Sequence, residues 1–374
     1  RVDARWHALT GATVVVRPGE VVENATVVIR DGVIRSVSSG GPAPEGARVW
    51  DCGGLTIYAG FIEPYKEVDV DEVDPASAGT HWRSNVTPQR SALDDGGLDE
   101  KAREELRGLG FTAAAIAPDD GIFRGTGELV SLTEPETEIS AGAPRLIRGG
   151  VYQSVAPETG GWGGTPPTSL MGAIAVMRQT FLDAGWYSEV LGVEAARSEG
   201  LERMERNAAL AALGENSEES TPILFDASSS LNALRMAKVA EEFGRRAILL
   251  GSGEEFERVD AIAGLGLGMI IPVNYPKKPD VSTRALAESV SLKTLMSWEQ
   301  APTNLRRLDQ AGVRASLTTH RLKKSKDFWA NVRSAVEHGL APERALSMLT
   351  THPAALLGAS ELLGAVEEGK LAHL

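Results

Sequence analysis

Cysteine is nearly missing from this sequence. Cys52 is the only one among 374 residues, which excludes an internal disulfide and any zinc site built on thiolates. A lone free cysteine is expected as a small, buried, apolar residue. Histidine is scarce as well: the six are His7, His81, His320, His338, His352 and His373. No two are spaced i, i+2 or i, i+4, so no pair shares a metal through local spacing. No apolar run reaches 18 residues, so no segment is built to cross a bilayer as a helix. No Lys/Arg-rich run offsets the formal net charge of −13, which comes from 51 acidic and 38 basic side chains. Such a surface repels phosphate backbones and anionic lipid, and neither nucleic acid nor a membrane is an expected partner. The sequence begins at Arg1 rather than Met. A cleaved export signal or a trimmed chain gives that start, and an exported or periplasmic location is favoured over a cytoplasmic one.

What is present falls into two rhythms. Residues 8–58 hold short β-branched runs, "ATVVV" (12–16), "ATVVIRDG" (25–32) and "VIRSVSS" (33–39), with a hairpin signal at Asp31-Gly32. They predict a small antiparallel sheet or sandwich. From residue 59 onward, eight apolar runs alternate with helical patterns: 59–63, 111–117, 128–132, 144–152, 222–228, 246–252, 268–274 and 314–320. Amphipathic stretches at 99–110, 169–191, 230–244 and 304–312 lie between several of them. Apolar strands separated by helices read as parallel βαβ units, and eight of them close a TIM-like barrel. The acidic loop 64–98 and the Gly/Pro-rich stretch 153–168 exceed a minimal barrel, and such loops cluster at the catalytic face. Residues 327–358 predict two helices, with His352 as a turn residue ahead of Pro353. The "GLGLG" at 264–268 leads into an apolar strand rather than opening a helix, which rules out a dinucleotide fingerprint.

The segments "VVIRDGVIRSV", "GLTIYAGFIEPY" and "HGLAPERALSMLTTHPAALLGASELLGAVEEGKLAHL" together resemble the amidohydrolase superfamily, in particular its imidazolonepropionase-like branch. That resemblance implies a distorted (β/α)8 barrel preceded by a β-sandwich. It divides the chain into a sandwich portion (1–58), a barrel (59–358) and a return segment toward the sandwich (359–374). The return segment stops short of the strands that complete the family's sheet. A second amidohydrolase-like domain or a partner chain is therefore expected to complete it, since an open sheet edge is normally covered.

The resemblance also implies one or two divalent metals, held first by a His-x-His on the opening barrel strand. The frame Gly60-Phe61-Ile62-Glu63 aligns with it, and the two histidine stations fall at Tyr65 and Glu67. The fifth-strand station holds Asp226, and the sixth falls at Gly251 or Ser252. Where the family ends its eighth strand in Gly-Thr-Asp, this chain has Thr318-Thr319-His320. A hydrolytic metal needs about three protein ligands and an open water position. On these substitutions no metal ligand set and no cofactor is expected.

Candidate site residues follow from position. His320 and Asp226 sit at strand ends facing the barrel mouth, where barrel chemistry occurs. Asp226 is expected to orient the His320 imidazole as a general base, unless the two merely fill a vestigial pocket. Tyr65, Lys66 and Glu67 are candidates for binding a small polar ligand, set against a plain Lys–Glu pair at a loop start. His81 and Trp162, the latter within "GGWGG", join them as binding candidates, with the Gly-rich loop as a lid. The run Asp69, Asp71, Glu72 and Asp74 lacks a calcium-loop pattern and reads as solvated. Two functions compete, with a binding protein for a small polar molecule in the barrel mouth as a third, more distant reading. The first is a metal-deficient pseudoenzyme, or a non-catalytic domain of a larger chain. The second is a hydrolase of non-peptide C–N bonds with a degenerate centre on Asp226 and His320.

Overall fold

A computed structural model describes residues 3–71, 74, 77–94, 96–133, 146–160, 166–196, 204–214 and 221–374. The chain opens with β1 (Asp3–Arg17), β2 (Glu20–Arg30), β3 (Val33–Ser39), β4 (Ala47–Asp51) and β5 (Thr56–Ile57). These form one sheet in the order β3-β2-β1-β4, with β5 also on β1. The β2–β3 hairpin turns at Asp31 (φ 52°) and Gly32 (φ 74°), the positive φ pair that a tight two-residue turn demands. The expected antiparallel pattern holds for β1–β2 and β2–β3 only. Strands β4 and β5 run parallel to β1, because the chain crosses from the β3 edge to the far side of β1 before pairing again. Cys52 is half-buried rather than buried, packed at the edge of the core made by Val14, Val27 and Ile34.

The end of the chain returns to this sheet. Val366 N–H donates to Val16 O at 2.8 Å, Gly369 N–H to Ile34 O at 2.9 Å and Ala372 N–H to Gly32 O at 2.8 Å. Leu371 bridges antiparallel to Val33, so this segment lies along the outer edge of β3.

The second sheet has eight strands, each on one of the eight apolar runs. They are β6 (Phe61–Val68), β7 (Phe111–Pro118), β8 (Phe123–Ser131), β9 (Leu146–Val155), β10 (Ile223–Asp226), β11 (Ala247–Leu250), β12 (Gly268–Pro272) and β13 (Ala315–Thr318). They follow one another in order and curl into a nearly closed barrel. Helices such as Glu100–Gly108, Leu170–Ala196 and Ser230–Glu242 lie between them in the chain. The expectation of an all-parallel barrel fails at β8, which is antiparallel to both β7 and β9. Only residues 119–122 connect β7 to β8. A parallel crossover needs a dozen residues or more, so so short a link can only reverse the chain. His352 lies inside the helix Thr351–Leu356 rather than in a turn; a proline in a first helical turn costs no hydrogen bond.

The two ends of the eight-stranded sheet, β6 and β13, share no ladder. Side chains close that seam. Glu63, fully buried, accepts from Thr318 Oγ1 at 2.5 Å on Oε1 and from Thr319 N–H at 2.8 Å on Oε2. Thr318 Oγ1 also lies 3.2 Å from Tyr65 O. Burial lifts the Glu63 pKa above the usual carboxylate value, and the bonds from Thr318 and Thr319 oppose that rise. Replacing Glu63 with Ala removes the acceptor of Thr318 Oγ1–H, Thr319 N–H and Tyr65 N–H, the last at 3.3 Å, and leaves a cavity, so Glu63→Ala is expected to cost about 3–5 kcal/mol. Urea denaturation measures this, and a loss below about 1 kcal/mol would show that the seam does not depend on Glu63.

Candidate functional site at the barrel mouth

Four strands deliver the polar groups of the mouth. Strand β6 contributes Tyr65, Lys66 and Glu67 near its C-terminal end, and β10 ends on Asp226. Beyond β13 come Thr319, His320 and Arg321. The fourth contributor is β8. Because β8 is reversed, its first residues pair with the last residues of β9, Phe123 opposite Val155. Its N-terminal end therefore reaches the same rim as its neighbours' C-terminal ends, and it carries Arg124 there.

Arg124 is only 8% exposed and organises the centre. Its Nη1 donates to Glu67 Oε1 at 2.9 Å and to Tyr65 Oη at 3.0 Å, and lies 3.8 Å from Asp226 Oδ2. Its Nη2 reaches Glu158 at 3.3 Å and its Nε reaches Gly121 O at 3.3 Å. Tyr65 Oη–H donates in turn to Glu67 Oε1 at 3.0 Å. Arg321 holds the other side of Asp226, with Nη2 on Oδ1 and Nη1 on Gly251 O at 2.7 Å. Arg321 sits at φ 64°, a left-handed backbone that a non-glycine residue adopts at a local cost. Glu67, Asp226 and Glu158 thus face two guanidinium groups. Burial opposes the charge on Arg124, but Tyr65, Glu67, Asp226 and Glu158 outweigh it and hold the guanidinium protonated.

His320 packs edge-on to the Tyr65 ring, with centroids 5.0 Å apart. Its backbone N–H donates to Thr318 Oγ1 at 3.0 Å, and its ring Nδ1 lies 3.7 Å from Glu67 Oε2. Burial, reinforced by the Arg321 charge, pushes its pKa down to about 4, so the imidazole is neutral at pH 7. The expected Asp226–His320 pair does not form: both guanidinium groups claim Asp226, and the carboxylate facing His320 is Glu67. Contrary to the expectation that no ligand set survives, Glu67, Asp226 and His320 offer ligand atoms all within 4.8 Å of one another.

The other candidates scatter. Lys66 makes no bond to this cluster among the described residues, although its charge is felt at His320. His81 stacks on Trp82 in the loop after β6, with centroids 3.8 Å apart, and no described bond joins it to the centre. Ser252, at the sixth-strand station, bonds Glu255 instead. Trp162 and Glu72 lie outside the described residues. Sequence reasoning missed Arg124 and Arg321. A charged residue opening an apolar strand, in "FRGTGELVS", was the available signal for Arg124.

Comparison with known proteins places this geometry. Residues 284–374 match the family model described as the amidohydrolase family. An amidohydrolase from Thermotoga maritima MSB8 superposes with a TM-score of 0.76 at 19% identity, covering 98% of this chain and 92% of that one. Residues 284–374 thus resemble amidohydrolase sequence, and the chain shares the fold of that solved amidohydrolase. A prolidase complexed with N-methylphosphonate-L-proline matches this amidohydrolase-like chain at a TM-score of 0.54 and 15% identity, over 98% of this chain and 91% of the prolidase. Phenylurea hydrolase B matches at 0.51 and 16%, over 98% and 90%. A search of curated proteins gives no match.

The superfamily implies a divalent metal, and the residues present can be tested for one. The donors Glu67, Asp226 and His320 suit a borderline or hard cation by type. Their arrangement does not fit one. Arg124 Nη1 stands within 3.8 Å of both carboxylates, and a dication beside a buried guanidinium meets direct charge repulsion. Arg321 has already neutralised the far oxygen of Asp226.

The His320 shift carries a pH consequence. Its folded pKa of about 4 lies below the unfolded value of about 6.5, so between those values the unfolded chain binds more protons. Stability contributed by the neutral ring is therefore full above pH 6.5 and lost as pH falls toward 4, on the order of 3 kcal/mol in all. Wild type is expected to lose more stability over that window than His320→Gln. Equal losses in parallel denaturation series would show that His320 titrates normally.

Proposed function

We propose that this chain is a non-hydrolytic domain of amidohydrolase fold, whose barrel mouth is held together by ion pairs in place of a metal centre. The observation that carries this reading is Arg124 Nη1, 2.9 Å from Glu67 and 3.8 Å from Asp226. Those are the carboxylates from which a metal-bound water would have to be held. An internal cation neutralises them as a dication would, but it offers no vacant coordination position and no Lewis acid. Among the described residues, His320 has no carboxylate within hydrogen-bonding distance to orient it, Glu67 Oε2 lying 3.7 Å from its Nδ1, which weakens it as a general base. Function resides in the site rather than in the fold, so the hydrolases among the solved neighbours support the architecture and not turnover.

A second reading is favoured by one observation, the 4.8 Å convergence of Glu67, Asp226 and His320. If Arg124 swung outward onto Glu158, these three would face a metal, and hydrolysis of C–N bonds would follow. Elemental analysis of the purified protein, before and after zinc loading, separates the two. The proposed reading expects substoichiometric metal in the wild type and no turnover on dipeptide or arylurea substrates. It further expects Arg124→Ala, which opens the space between the carboxylates, to gain one zinc per chain by calorimetry. Stoichiometric zinc in the wild type, lost in His320→Ala together with measurable hydrolysis, would establish the second reading instead.

A further inference from the structure

The five-stranded sheet has two edges, and the chain closes one of them. Its own end lies along β3, where the N–H groups of Gly369 and Ala372 donate to Ile34 O and Gly32 O. The other edge is β4, which among the described strands pairs with β1 alone. Arg48, Val49, Trp50 and Asp51 are all exposed, although successive side chains of a strand point to opposite faces. Neither face of β4 is therefore sealed. The direction of its main-chain groups follows from one bond. Cys52 N–H donates to Thr10 O at 2.8 Å, so residue 52 turns toward β1. These groups alternate sides from residue to residue along a ladder. Trp50 and Arg48 then face β1 as well, and Val49 and Asp51 direct N–H and C=O outward. Among the described residues no main-chain bond reaches those four groups. Such an edge is a template for another strand. Neither proline nor lysine guards it, and its one cation, Arg48, lies over the Trp50 ring at 4.2 Å.

Charge and register select a second copy of this chain as the added strand. Residues 1–58 hold six arginines and six side-chain carboxylates, so the formal charge of −13 lies wholly outside them. Charges farther than about 8 Å are screened at physiological salt, and two copies meeting at β4 are spared the repulsion of their acidic remainders. An antiparallel pair about a two-fold axis at Val49 makes the two Val49 residues a hydrogen-bonded pair, each N–H donating to the other's C=O. Asp51 N–H of each copy then meets the Ala47 C=O of the other, while Ala47 N–H stays on Pro44 O. The same register sets Arg48 of each copy against Trp50 of the other, a favourable cross-strand pairing of cation and ring. Moving the axis to residue 48 opposes Arg48 to Arg48, and moving it to residue 50 takes Arg48 to Cys52 instead. Leu55 and Tyr58, just past the strand, are 59% and 43% exposed and extend the apolar margin of this edge.

We propose that this chain forms a two-fold dimer in which β4 pairs antiparallel with β4 of a second copy, joining the two sheets into one. The inference is independent of the barrel-mouth centre. The strand pair is small, so dissociation is expected in the micromolar range, about 1–100 µM. Sedimentation velocity on the full chain across that range should show a dimer whose share rises with concentration. Association should stop there, because a closed two-fold pair uses up the edge. Hydrogen exchange should show the Val49 and Asp51 amides protected in the dimer and open on dilution, with Trp50 and Cys52 protected throughout. Val49→Pro removes an outward N–H and leaves the ladder to β1 intact, and Val49→Lys sets like charges across the axis. Each is expected to raise the dissociation constant at least about tenfold, with the wild-type urea midpoint retained. If the proline variant does not fold, the lysine variant and the exchange pattern decide. A monomer across the whole range, growth past the dimer, or a dimer that persists unchanged in Val49→Lys would each overturn the proposal.

Discussion

The structure depends on a carboxylate that never meets solvent. A curled sheet has two end strands, and in this barrel β6 and β13 meet without a backbone ladder. Glu63 spans the gap by accepting from Thr318 Oγ1 and the Thr319 N–H. The mouth is assembled immediately beyond these residues: Tyr65 and Glu67 lie two and four positions after Glu63, and His320 and Arg321 lie two and three after Thr318. A slip at this seam would separate both halves of the centre at once. The burial that raises the Glu63 pKa also makes its hydrogen bonds strong, because water does not compete for the donors.

Above the seam, charge rather than coordination sets the geometry. Bringing Glu67 and Asp226 together requires a counter-charge, since two partly buried carboxylates repel each other strongly. A metal-dependent barrel supplies it with an ion that keeps open positions for water and substrate. Here Arg124 supplies it through a planar fork with fixed directions, and Arg321 adds a second fork on Asp226. Between them the two guanidinium groups bond Glu67, Asp226, Glu158, Tyr65 and the carbonyls of Gly121 and Gly251. His320 stays neutral beside two cations, and neutrality is the state that burial favours.

Much of the fold was legible from residue order alone. The eight barrel strands lie on the eight apolar runs, and the Asp31-Gly32 turn fell where its chemistry required. The reversal of β8 was not legible, because an apolar strand reads the same in either direction and only the four-residue link at 119–122 encodes it. The site was legible in part. Tyr65, Glu67, Asp226 and His320 were chosen by position at strand ends, and the structure brings those four together. The pairing among them was not, because it is decided by two arginines whose partners the sequence does not give. Arg321 follows a strand end as any loop residue might, and Arg124 counts as a site residue only once β8 is known to run backwards.

That dependence links topology to chemistry. In a parallel arrangement the first residue pair of a strand lies at the floor of the barrel, away from the mouth, and Arg124 would be a stranded charge among apolar side chains. Reversal carries the same residue to the rim, where Glu67, Asp226 and Glu158 meet it and repay its desolvation. The reversed strand and the arginine are thus one feature seen at two levels. The hairpin decides which end of β8 reaches the mouth, and the residue at that end decides that the carboxylates are matched by a guanidinium.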